Sequence, residues 1–260
     1  MAEIDLHHQL KEVSRFLIDY AASSMSVGMQ TSRVVRNSER IAAAWGFCCD
    51  ASIFRNSFIV TVWDTGREHS YSSVGNIKSL GLNFQINAAL CRLSWEIYDQ
   101  QLPMEQAKEK YLDIVRTPRE SRWLVIILVS LANAAFCRLF KGDFVAMGIV
   151  CVATFVGFYV KQTLQHRHWN EFAVWTISAF IASMIASLDY TFHLGTTSDI
   201  AVATSVLFLI PGVPLINGIM DLIDGHILSG TSRLINASML IVCIAIGLTI
   251  TLRLARIDVL

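Results

Sequence analysis

The sequence predicts an N-terminal soluble α+β domain, residues 1–122, followed by an all-α membrane domain of five transmembrane helices, residues 123–260, the fourth of them broken. Three observations predict it. Charge is divided unevenly: Met1–Arg122 carries 14 Lys+Arg and 14 Asp+Glu, whereas Trp123–Leu260 carries seven of each. Hydrophobic residues make up 53% of the chain and mean hydropathy is +0.48, with apolar runs in the second part close to the length that crosses about 30 Å of hydrocarbon. One of those runs is cut by Pro211-Gly212-Val213-Pro214. Two prolines around a glycine interrupt a helix, because proline removes a backbone donor and clashes with the turn before it.

In the first part, Ile4, Leu6, Leu10, Val13, Leu17 and Tyr20 recur at helical spacing and predict an amphipathic helix from about Ile4 to Ser24. The segment SVGMQTSR, Ser26 to Arg33, then turns the chain, with Thr31 or Ser32 as the cap of a second helix that carries Val34, Val35, Ile41 and Ala44 and ends at Gly46. Strand-like runs follow at Phe47–Phe54, Ser57–Trp63 and His69–Val74, the last two joined by a hairpin turn at Asp64-Thr65-Gly66. Phe84–Tyr98 and Met104–Val115 read as helices, with Pro103 suited to a helix start and Pro118 closing the domain. The order ααβββαα gives an α+β domain large enough to bury its own core.

Several function classes are excluded by what this part lacks. Zero net charge gives no basic footprint for nucleic acid. Met1–Asp19 alternates apolar and charged residues without the hydrophobic core of a signal peptide, so the first domain is expected to stay on the side where it is made. The six cysteines include no C-x-x-C pair and read as small hydrophobes, so no metal site and no cofactor is expected. No G-x-S-x-G, phosphate loop or H-x-x-x-H occurs, and no catalytic residue is assigned. Gly28, Thr31 and Arg33 form the one polar cluster of interest here. Its plainer reading is a helix-capping turn.

In the second part, spans are expected at Trp123–Phe140, Phe144–Val160, Phe172–Leu188 and Leu234–Leu254. Ile200–Ile210 is too short to cross alone, but joined to Leu215–Ile223 through the proline break it makes a fourth, discontinuous span over 200–223. Arg116, Arg119 and Arg122 lead into the first span and place the soluble domain in the cytoplasm. Lys161 and Arg167 mark Lys161–Glu171 as a cytoplasmic loop, and Asp189–Asp199, without Lys or Arg, as an external one. Arg138, Lys141, Arg253 and Arg256 argue weakly the other way. Five spans put Leu260 outside.

The chemistry-bearing residues gather at the break. Asn217, Asp221 and Asp224 are spaced i, i+4, i+7 and project from one helical face. Carboxylates in a membrane segment are costly and mark function. Pro211, Gly212 and Pro214 free backbone carbonyls before the break and leave N–H groups at the helix start after Pro214, where partial positive charge suits a substrate carboxylate. Asp221 suits a substrate ammonium group or a coupling proton. Arg233 can hold a carboxylate or pair with Asp224. Asn133 and Asn236 are second-tier polar contacts, more often helix–helix hydrogen-bonding residues than ligands. The bland alternative is a span that ends at Pro211, leaving Asp221, Asp224 and Arg233 solvated beyond it. No internal duplication is evident, so the chain supplies one repeat of the two around which many transporters are built.

The run PGVPLINGIMDLIDGHILSGTSR, Pro211 to Arg233, together with RWLVIILVSLANAAFCRLFKGD, Arg122 to Asp143, and SVGMQTSRVV in the first domain, resembles the threonine/serine exporter (ThrE) family, and more closely its split, YjjP-like form. The resemblance covers nearly the whole chain. Gln30 stands where the family favours an acidic residue. The resemblance implies a soluble domain and five spans completed by a second small membrane subunit, a YjjB-like partner. It implies export of threonine and serine by fused relatives, and of succinate and related dicarboxylates by the split pair. The expectation is therefore a subunit of a gradient-driven exporter of small carboxylates or amino acids. The alternative is a membrane-tethered enzyme or a regulatory module carried by the first domain.

Overall fold

The computed structural model describes residues 2–54, 57–77, 81–118, 120–192 and 194–255. In chain order its elements are α1 (Ala2–Ser26), α2 (Thr31–Ala44), β1 (Cys48–Ile53), β2 (Ser57–Trp63), β3 (Ser70–Asn76), α3 (Phe84–Gln100), α4 (Met104–Val115), α5 (Arg122–Leu139), α6 (Phe144–His166), α7 (Glu171–Phe192), α8 (Ser198–Thr204), a 3-10 turn (Leu207–Leu209), α9 (Gly212–Ile223) and α10 (Ile227–Leu254). The architecture is mixed: a three-stranded sheet with helices, and a mostly helical apolar part. Contacts divide the chain into two compact units, Met1–Pro118 with Val213–Ile235, and Arg119–Gly212 with Asn236–Leu260. Arg119, Arg256 and Leu260, used above to argue orientation, lie outside the described residues.

In the first unit, Leu10, Val13, Leu17 and Tyr20 of α1 are fully buried, each one helical turn from the next. They meet Val34 and Ile41 of α2, Phe58, Val60 and Val62 of β2, and Leu90, Leu93 and Ile97 of α3 in one core. Each such side chain contributes about 1.5–3 kcal/mol. The sheet is antiparallel in the order β1-β2-β3, with Cys49 opposite Val62 and Val62 opposite Tyr71. Cys49, Ala51 and Ile53 face the core by strand alternation. The buried Tyr20 hydroxyl donates to the Leu90 carbonyl at 3.0 Å and accepts from Asn37 at 2.9 Å. Burial pushes its pKa up to about 12.

The second unit packs α5, α6, α7 and α8 with the later turns of α10. Arg122 ties the start of α5 to the end of α6, donating to Gln162 Oε1 at 2.8 Å and Thr163 Oγ1 at 2.6 Å. At the opposite ends, Asp143 caps α6 through Ala146 N–H at 2.7 Å and accepts from Thr196 N–H at 2.7 Å. Those bonds, the Ala146 amide first, hold its carboxyl down at about 2. Ser183 and Thr251 hydroxyls meet at 2.7 Å between α7 and α10. A side chain at Gly247 would strike the Thr176 carbonyl and Ala179, so the two helices approach by small residues.

Among the described residues, α5, α6, α7 and α10 are long and apolar enough to cross a membrane, and the bent pair Ser198–Leu209 with Gly212–Ile223 makes a fifth span if counted as one. Three expectations are corrected. Lys161 lies in α6, not in a loop, because the Lys-Gln-Thr-Leu-Gln-His stretch continues the helix. Asp189 likewise belongs to α7. And α9 starts at Gly212, with Pro214 inside its first turn, where a missing N–H leaves no bond unmade.

Candidate functional site

The polar face of α9 is built by helical periodicity and finished by its C-terminal cap. Gly225 adopts φ +87, a conformation that favours glycine, and lets Gly225 N–H reach the Leu222 carbonyl at 3.2 Å and His226 N–H the Asp221 carbonyl at 2.8 Å. The chain then reverses into α10. A side chain at Gly230 would collide with the Gly218 carbonyl and with Leu222, so the two segments meet backbone to backbone. This hairpin brings Ser229 and Arg233 beside Asp221.

Asn217, Asp221 and Asp224 all meet one partner, the turn before α2. Asn217 Nδ2 donates to the Gly28 carbonyl at 3.0 Å. The Asp221 carboxylate is fully buried; Oδ1 accepts from Thr31 N–H at 3.0 Å and Oδ2 from Thr31 Oγ1 at 2.8 Å. Ser229 Oγ lies 3.1 Å from the same Thr31 hydroxyl. Arg233 Nε stands 3.4 Å from Asp221 Oδ2, and its Nη2 donates to the Met29 carbonyl at 3.3 Å. Gln30 Nε2 donates to Asp224 Oδ2 at 2.8 Å.

Two expectations change here. Neither Thr31 nor Ser32 caps α2: the cap position is Gln30, whose side chain makes no capping bond. Asp221 does that work from another element, its Oδ1 accepting from the amide at the helix start. Arg233 pairs with Asp221, not Asp224, because Asp224 is exposed and takes Gln30. The alternative in which Asp221 is solvated does not hold, since none of its surface is exposed.

The remaining residues singled out from the sequence are dispersed. Pro211 precedes α9 and Gly212 opens it; Arg33 is exposed on α2. Asn133 is buried in the second unit, donating to Thr154 Oγ1 at 2.6 Å and to the Thr204 carbonyl at 3.2 Å. That carbonyl is released where α8 stops, so Asn133 seals the helix end. Asn236 sits in α10. Sequence reasoning missed Ser229 and the Gly218–Gly230 contact. The small residues were visible, but only the hairpin gives their pairing.

The model of the family described as "Putative threonine/serine exporter" (ThrE) matches residues 15–255. The chain is 28% identical over 244 residues to the "Probable succinate transporter subunit YjjP" of Klebsiella aerogenes, covering 93% of each. It is 28% identical over 246 residues to the Escherichia coli K12 protein of the same description, covering 94% of this chain and 95% of that one. A "Probable threonine/serine exporter" of Mycobacterium tuberculosis is 24% identical over 251 residues, which are 96% of this chain and 47% of that one. No solved structure matches. On the extent of the family match, the chain belongs to the threonine/serine exporter (ThrE) family.

Proposed function

We propose that the chain is one subunit of a two-component inner-membrane exporter of small carboxylates or amino acids, either succinate-type dicarboxylates or threonine and serine, driven by an ion gradient. The observation that carries this reading is the Asp221 carboxylate, fully buried behind the proline break and answered by Thr31 and Arg233. Burying a carboxylate this completely is costly, and ionisable groups kept in membrane segments mark function. The word "subunit" in two relatives' descriptions, and a relative about twice this length, support a second component.

In this reading the first domain, 1–122, is cytoplasmic and holds the cytoplasmic end of the fourth span through Gly28, Gln30 and Thr31. Transport requires those bonds to exchange for bonds to substrate or for a proton on Asp221, so the first domain acts as the regulatory part of the exporter rather than as an enzyme. Pro211, Gly212 and Pro214 shape the break, and Asn217, Asp224 and Arg233 flank the carboxylate. A YjjB-like partner completes the site.

The test is efflux from cells loaded with serine, threonine or succinate and expressing the chain with its partner. Asp221→Asn keeps the size of the side chain and removes its charge. Export of the true substrate falls at least tenfold, the order of a lost charge-assisted bond of about 1.5–3 kcal/mol. Export at the wild-type rate would refute the assignment.

A further inference from the structure

We infer that the seam between α6 and α7 at Lys161, Trp175 and Ser178 binds a carboxylate group of the exported molecule. The inference rests on the exporter reading and names the group recognised in the second unit.

Three donors line it, and none has a hydrogen-bond partner among the described residues. The Lys161 ammonium lies 3.9 Å from the centre of the Trp175 ring and 5.9 Å from that of Phe158. Among the described residues no hydrogen bond or ion pair takes up its protons; Glu171, exposed at the start of α7, acts on it only from a distance through its charge. Trp175 is 8% exposed and its indole N–H has no hydrogen-bond partner; Ser178 is fully buried and its hydroxyl has none. Helix geometry puts these groups on one seam. Gly157, one turn before Lys161, faces α7 so closely that a side chain there would crowd Ala182 and touch the Ser178 carbonyl. Running in opposite directions, α6 and α7 thus set residue 157 beside 178 and residue 161 beside 175. Phe208 closes the seam, edge-on to Phe158 at 5.9 Å.

Folded proteins pair nearly all their buried polar groups. An orphan donor is costly, and a cation in an apolar surround costs more. The Trp175 face offsets part of that cost but accepts no directed bond from the ammonium. A cation, an N–H and an O–H left over together ask for one negatively charged group with two oxygens. A carboxylate supplies both. An ammonium supplies neither, and an uncharged solute lacks the charge.

The test uses membrane vesicles holding the full chain and its partner, with KM and kcat for succinate, threonine and serine efflux measured separately. Lys161→Gln raises KM about tenfold or more, with kcat and membrane abundance within twofold, since it removes a charge-assisted bond. Trp175→Phe keeps a ring beneath the ammonium and deletes the N–H; it raises KM about fivefold, a loss near 1 kcal/mol. Lys161→Arg restores much of the lost affinity. A role confined to packing lowers abundance or kcat and leaves KM alone. If both Lys161→Gln and Trp175→Phe keep the wild-type KM, the site is refuted and the exporter reading stands. If the wild-type pair exports no carboxylate-bearing solute, both fall. Should Lys161→Gln fail to accumulate, Trp175→Phe and Ser178→Ala decide by the same KM criterion.

Discussion

Asp221 and Arg233 show at the scale of single residues why a buried pair is hard to dismantle. Neutralising one member leaves the other desolvated and unanswered, which costs about 3–5 kcal/mol, whereas replacing both by apolar groups approaches neutrality. Arg233 keeps 18% of its side chain exposed and Asp221 none. The cost of losing the carboxylate is therefore set near the lower end of that range. Asp221→Leu lowers stability by about 3 kcal/mol, and Asp221→Leu with Arg233→Leu by clearly less than the two single changes summed. Thermal unfolding of the purified full chain, read as a double-mutant cycle, measures this; strictly additive losses would show that the pair is not coupled. The spacing of Asn217, Asp221 and Asp224 was enough to place all three on one face. Their partner was not legible, because Thr31 lies 190 residues away and an isolated Thr next to a helix start reads as its own cap.

At the scale of elements, the α9–α10 hairpin depends on two glycines facing each other. Gly230→Leu puts a branched side chain against the Gly218 carbonyl and the Leu222 amide, parts of the backbone that cannot yield as a flexible side chain does. The variant separates the helices, moves Ser229 and Arg233 away from Asp221, and lowers membrane abundance or unfolding temperature, while Gly148→Leu, whose site is open, changes neither. Quantitative immunoblotting and thermal unfolding check both. The helices were largely legible because span length and strand alternation are local properties. Their ends were not. Lys161 looked like a loop charge because its aromatic neighbour Trp175 comes from the next helix, and Pro214 looked like a boundary because proline's meaning depends on which turn it occupies.

For the whole molecule, the number of crossings decides which side each terminus faces. Residues 122, 162 and 163 meet at one end of the second unit, and residues 143 and 196 at the other, as alternating spans require. The bent pair settles the parity. Counted as one span it gives five crossings and sets the two termini on opposite faces; set aside, it leaves four and sets them on the same face. Five is the expected number. Reporter fusions active on only one side of the membrane give a cytoplasmic signal at the N-terminus and an external signal at the C-terminus, and cytoplasmic signals at both would remove the crossing.

The capping of α2 by Asp221 also has a consequence in time. A ribosome that has just finished Thr31 must add 190 further residues before the carboxylate exists. At about 5–20 residues per second this takes roughly 10–40 s. The N-terminal domain meanwhile folds around its own core with the first turn of α2 unfinished. Completion waits for the segment that follows the last proline, so the domain acquires its final bonds only after the apolar helices between have been synthesised. The bond that joins Thr31 to Asp221 thus dates the maturation of the domain as well as tying down its helix.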